Sequence, residues 1–282
     1  MRIGVMQGRL CPPIDGKIQA FPGDCWRDEF SASQKLGLNC IEWIFEAPDV
    51  DKNPLLTDAG IADMKSVSTE SGVVIGSVVA DYFMEKLLFS LPPEEIEKNV
   101  EMLRLLVRNC ASAGIPIIEL PFVDASALDS AEHREEVVKN LQAPLEDAKK
   151  AGIVIGFETS LSPQVFRGFL DSFKPYEVRA NFDMGNSSSL NFDPAEEIPT
   201  LGTDIANVHI KDRVLGGGTV PLGEGNTNFQ EVFSQLKALD YSGDFIFQSA
   251  RQDIPESKSQ KGPEETVLEY MDFMKPHLEP FR

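Results

Sequence analysis

The chain has 282 residues, 42% hydrophobic and 25% charged, with 26 basic residues against 45 acidic for a net charge of −19. That length fits one large α/β domain whose core needs neither disulfide nor metal to hold it together. The acidic balance argues against nucleic acid and anionic lipid as partners, because both demand basic surface. Cys11, Cys25, Cys40 and Cys110 are widely spread, form no CxxC pair and read as reduced. The first ten residues hold too short an apolar run for a signal peptide, and no run approaches the roughly 20 residues of a membrane span. A cytoplasmic protein is expected.

Short runs rich in Val and Ile predict strands at 3–6, 40–44, 73–79, 117–120, 153–157, 178–182, 206–210 and 245–247. Near-continuous apolar strands suit a parallel sheet covered on both faces. Amphipathic patterns between them predict helices over 26–36, 58–71, 93–113, 131–151, 163–173, 194–201 and 229–239, and a last one from about 263 to 274. Pro93, with Glu94, Glu95 and Glu97, marks a helix start at the positive end of the dipole. Gly37, Gly114, Gly152 and Gly243 each stand between a helix pattern and the next strand, where a residue free to take positive φ ends a helix. Pro144 should kink or restart the helix it interrupts. Eight βα units of roughly 30 residues, no linker and no GxGxxG after the first strand predict a (β/α)8 TIM barrel, one domain over 1–282.

Reactive side chains in such a barrel stand at the C-terminal ends of strands. Those places hold Gln7, Arg9, Glu42, Glu46, Asp81, Glu119, Glu158, Asp183, His209 and Gln248. Glu158, Asp183, His209 and Gln248 belong to strands five to eight, which are neighbours around the barrel and can aim at one point. Two carboxylates, an imidazole and an amide oxygen form an oxygen-rich set that suits Mn²⁺, Mg²⁺ or Co²⁺ and is compatible with Zn²⁺. Basic residues are few, yet Arg9, Lys211, Arg213 and Arg251 all follow strand ends. Loops seven and eight are a common phosphate site in these barrels, so an anionic sugar is expected there.

At Glu158, Asp183-Met184-Gly185, His209-Ile210-Lys211-Asp212-Arg213 and Pro221-Leu222-Gly223-Glu224-Gly225 the chain resembles the xylose isomerase-like TIM-barrel superfamily of sugar and sugar-phosphate isomerases and epimerases. The resemblance implies carbohydrate metabolism, with one divalent metal ion held by Glu158, Asp183, His209 and the strand-eight residue. It also implies two glutamates, on strands five and eight, that pass protons across a metal-stabilised enediolate. The sequence departs from this pattern twice: strand eight carries Gln248 where Glu is usual, and Asn186 stands where the DxGH phrase has His. Gln can offer oxygen to a metal but cannot accept a proton near pH 7.

The expected function is therefore a metal-dependent isomerase or epimerase of a sugar or sugar phosphate. Glu158 is the catalytic base; acting alone it permits aldose–ketose isomerisation and disfavours epimerisation, for which Glu119, Asp81 and Lys211 are candidates for a second base. Asn186, Lys211, Arg213, Arg9 and Arg251 are the expected substrate-binding residues. A sugar-acid dehydratase or lyase on the same scaffold, or a non-catalytic sugar-binding homologue, are the alternatives. A DNA-repair endonuclease is disfavoured by three histidines and the acidic charge. A homo-oligomer is compatible with the sequence, which does not set the number of subunits.

Overall fold

The computed structural model describes all residues except 255, 256, 258, 259 and 282. Eight parallel strands close into a barrel in sequence order: β1 (Ile3–Met6), β2 (Cys40–Ile44), β3 (Val74–Val79), β4 (Ile117–Phe122), β5 (Val154–Thr159), β6 (Val178–Asp183), β7 (Ile205–Ile210) and β8 (Asp244–Phe247), with β8 returning to pair β1. Among the described residues no helix is long and apolar enough to cross a membrane.

Alternation along each strand divides the core in two. On β2, Trp43 points outward and meets Trp26 at 5.3 Å under the helix layer, while Cys40, Glu42 and Ile44 face the barrel axis. The interior is itself two-sided. Met6, Cys40, Ile44, Val79 and Ile246, from β1, β2, β3 and β8, pack as an apolar plug. Glu42, Glu119, Asn181, Asn207 and His209 are equally buried but polar, and they fill the rest.

The long helix expected over 131–151 is two helices, Ala131–Asn140 and Gln142–Ala151, with Pro144 in the first turn of the second. Proline lacks the N–H that an interior turn would need, so it restarts the helix there. Gly37, Gly114 and Gly152 end their helices in the left-handed region, as expected. Gly243 does not. Asp240 takes the positive φ of 52° instead, and Gly243 is required because a Cβ there would lie 2.4 Å from the Tyr241 hydroxyl and 2.7 Å from the Ala206 carbonyl oxygen.

Three strands run past their sequence patterns: β4 to Phe122, β5 to Thr159 and β6 to Asp183. Glu158 and Asp183 are thereby held by strand pairing rather than by loops. Asp183 lies in register beside His209, and Ile210 beside Phe247, which brings Gln248 to the same rim.

Candidate metal centre

His209 sits at the middle of the polar interior, fully buried between two carboxylate pairs. Its Nε2 is 2.6 Å from Glu42 Oε2 and 3.3 Å from Glu119 Oε2. Its Nδ1 is 3.3 Å from Glu158 Oε2 and 3.8 Å from Asp183 Oδ2. With carboxylates on both sides the ring attracts positive charge. Burial works to lower its pKa, but Glu42 and Glu119 outweigh that and push it well above the ordinary value. Burial also acts on Asp183, to raise it; Lys211 and His209 prevail and hold it well below the usual carboxylate range. Glu119, with no donor on its Oε1, is pushed well above that range by desolvation first.

The two sides differ in what they can hold. For metal–ligand bonds of about 2.0–2.2 Å, neighbouring ligand atoms stand roughly 3–3.5 Å apart. Glu158 Oε2 and Asp183 Oδ2 stand 3.3 and 3.8 Å from His209 Nδ1, close to that spacing, and ligand atoms of the three lie within 4.8 Å of one another, as do those of Glu42, Glu119 and His209. The 2.6 Å between Glu42 and His209 is a hydrogen bond and leaves no room for an ion between them. The donor set of the outer side fits a divalent cation.

Gln248 reaches this set through Lys211. The Lys211 ammonium donates to Asp183 Oδ2 and to Gln248 Oε1, at 3.0 Å each. The same contacts explain part of the motif spacing: the Lys211 stem crosses Gly185, where a Cβ would lie 2.7 Å from Lys211 Cγ. Asp212 faces away from the centre and accepts from the backbone N–H groups of Gly223, Gly225 and Thr227, at 2.9, 2.9 and 3.0 Å. The paired phrases HIKD and PLGEG are thus one folded unit that aims Lys211.

Asn186 is where the sequence expected a substrate-facing group, and it holds Glu158. Its amide donates to Glu158 Oε1, its backbone N–H donates to Asp183 Oδ1 at 2.7 Å, and its carbonyl accepts from Arg213 Nη1 at 2.7 Å. Arg213 also donates twice to the Gly217 carbonyl, at 3.0 and 2.8 Å.

Arg9 and Arg251, expected at the substrate, are turned inward, each 6% exposed. Arg9 donates to the carbonyls of Ser249 and Ile18 and to Gln19 Oε1, at 3.0, 2.6 and 3.3 Å. Arg251 donates to the carbonyls of Gly8 and Cys11 and pairs with Asp253. Together they fasten the loop after β1 to the end of β8. A buried guanidinium needs acceptors on every face, and the backbone supplies them here.

Sequence reasoning missed Gln19, which lies in that loop and bridges two strand ends. Its amide donates to Asp81 Oδ2 at 2.7 Å, and its carbonyl accepts from Gln248 at 3.2 Å. A loop glutamine carries no periodic signal that could have found it. Asn181 and Asn207 were also missed, although both face inward on β6 and β7; buried amides inside apolar strands were the available clue.

A closed parallel barrel with an acid–imidazole cluster at the C-terminal ends of its strands defines a (β/α)8 protein of the enzyme-like kind. The model of the xylose isomerase-like TIM barrel family matches residues 30–277, and the chain belongs to that family. It is similar to L-ribulose-5-phosphate 3-epimerase UlaE of Escherichia coli (strain K12 / DH10B), 24% identical over 251 residues, or 84% of this chain and 86% of that one. The corresponding protein of Shigella sonnei is 23% identical over 94% of this chain and 95% of its own length. Among solved structures it shares its fold with D-psicose 3-epimerase from Clostridium cellulolyticum H10, at a TM-score of 0.75, 16% identity and 99% of both chains.

Proposed function

We propose that the protein is an epimerase of a ketose, assisted by a divalent ion, which moves a proton at the carbon beside the carbonyl. The observation that carries this reading is the convergence of Glu158, Asp183 and His209 Nδ1 on one point. The three relatives named above are 3-epimerases, which supports the same chemistry. Glu158, Asp183 and His209 would hold the ion. When bound, it would polarise the sugar's oxygens and acidify the C–H between them.

Glu158 takes the proton on one face. Asn186 and Asn181 donate to its two oxygens, so the carboxylate is aimed before substrate arrives. An epimerase must return a proton on the other face. Gln248 cannot do so, but the ammonium it holds can: Lys211 Nζ carries protons at the strand-eight side of the centre. Glu119 stands on the Nε2 side of the imidazole, away from Glu158, which favours Lys211 over it. With Arg9 and Arg251 turned inward, support for a phosphate at the strand-eight rim falls to Lys211, and recognition by sugar hydroxyls becomes the simpler account.

Metal analysis of the purified protein, followed by a screen of ketoses and their phosphates in D₂O, tests this reading. Deuterium at the carbon beside the carbonyl and formation of the epimer are expected. Absence of both, in protein shown to bind Mn²⁺ or Mg²⁺, would sink it.

A further inference from the structure

We propose that Glu42 is a positioning residue of this centre: it keeps the proton of the His209 ring on Nε2 and thereby presents the Nδ1 lone pair to the cation. This rests on the outer side being the metal site. Glu42 is fully buried on β2, and its two oxygens are divided between two tasks. Oε1 accepts from Ser77 Oγ at 2.6 Å and from Asn207 Nδ2 at 2.8 Å. Those two donors set the plane of the carboxylate and leave Oε2 facing His209 Nε2 at 2.6 Å.

An imidazole that binds a metal through one nitrogen has its N–H on the other. A carboxylate oxygen at hydrogen-bond distance takes that N–H, so Nδ1 is the nitrogen that would give up its proton to the cation. Asn181 Nδ2 lies 3.2 Å from Nδ1 and 3.5 Å from Nε2 and donates to Glu158 Oε2 at 3.0 Å, so it sets neither nitrogen. The short contact with Glu42 singles out Nε2 as the protonated one.

The chain has three histidines, so ring nitrogen and proton resonances can be assigned in the whole protein. In Zn²⁺-loaded wild type, we expect His209 to keep its proton on Nε2, with the Nδ1 resonance shifted by the metal. In Glu42→Gln the side-chain oxygen can still accept from Ser77 and Asn207, which turns the amide N–H toward Nε2 and drives the ring proton to Nδ1. Affinity for Zn²⁺ and Mn²⁺ by calorimetry should then fall about 10- to 100-fold, the usual cost of losing such a partner. Ser77→Ala removes one donor without touching the ring and should cost less. A folded Glu42→Gln protein with wild-type affinity overturns the proposal. So does a proton on Nδ1 in the metal-loaded wild type, which needs no variant. Failure of the wild type to bind any divalent ion removes the metal reading itself, and the role of Glu42 with it.

Discussion

On the Nε2 side of His209 stand Glu42 and Glu119; on the Nδ1 side stand Glu158 and Asp183. Both sides pair one imidazole nitrogen with two carboxylates from different strands. The inner pair is sealed, and Ser77 and Asn207 hold Glu42 at hydrogen-bond distance from the ring while Glu119 stays at 3.3 Å. The outer pair stands wider, at the rim, beside an ammonium whose side chain is 14% exposed. Residue types alone do not separate a support from an ion seat; spacing and access do.

The largest expected effect comes from the base. Glu158→Gln should lower exchange of the substrate proton on the order of 10²–10⁴-fold, measured in D₂O, with metal affinity determined separately because Glu158 serves both roles. An effect of similar size from Glu119→Gln would break the distinction between the two sides. Next is the ion seat: Asp183→Asn should weaken divalent binding about 100-fold or more, beyond what outer partners cost, whereas Glu119→Gln should change it less than about 3-fold. Then comes Gln248→Glu, which adds a negative charge beside Lys211 and Asp183 and should tighten Mn²⁺ by roughly 10-fold. Unchanged or weaker binding would place strand eight outside the metal's surroundings.

Glu29 is a buried acid outside the cluster around His209 whose burial outweighs its partners. Desolvation first pushes the Glu29 carboxyl up to about 7, although the backbone N–H groups of Gly8 and Leu10 pull the other way. The folded state therefore binds this proton more tightly than the unfolded one does. Its stabilisation is complete below the ordinary value near 4.5 and is lost as pH rises through about 7. Glu29→Gln should flatten the decline in Tm between pH 5 and pH 8 relative to wild type. A parallel decline in the variant would assign the pH dependence to other groups.

Much of the barrel was legible because β-strand and helix periods alternate cleanly and proline and glycine punctuate them. Gly243 shows the limit: its place after a helix suggested a left-handed cap, while its real constraints are the Tyr241 hydroxyl and the Ala206 carbonyl, contacts made only in three dimensions. At the site, the strand-end rule brought out Glu158, Asp183 and His209. The adjacency of strands five to eight set them apart from Glu42 and Glu119, but the sequence does not print depth, so the burial of those two against the far side of the imidazole was not legible. The burial of the arginines was illegible for a related reason. Their places after strand ends were as read, but the backbone carbonyls that claim them have no sequence signal at all.

The Gln19 bridge has a kinetic consequence on the proposed reading. Its contacts with Asp81 and Gln248 tie the loop after β1 to the ends of β3 and β8, and a sugar bound for Glu158 would pass that loop. Two such hydrogen bonds, each contributing about 1 kcal/mol, would hold the bridged form over the unbridged one by roughly 30 to 1. Encounters with a sugar would then be productive only in the few per cent of molecules whose bridge is open, lowering the association rate by about that factor. Gln19→Ala should restore the faster encounter, seen by stopped flow as a larger association rate constant.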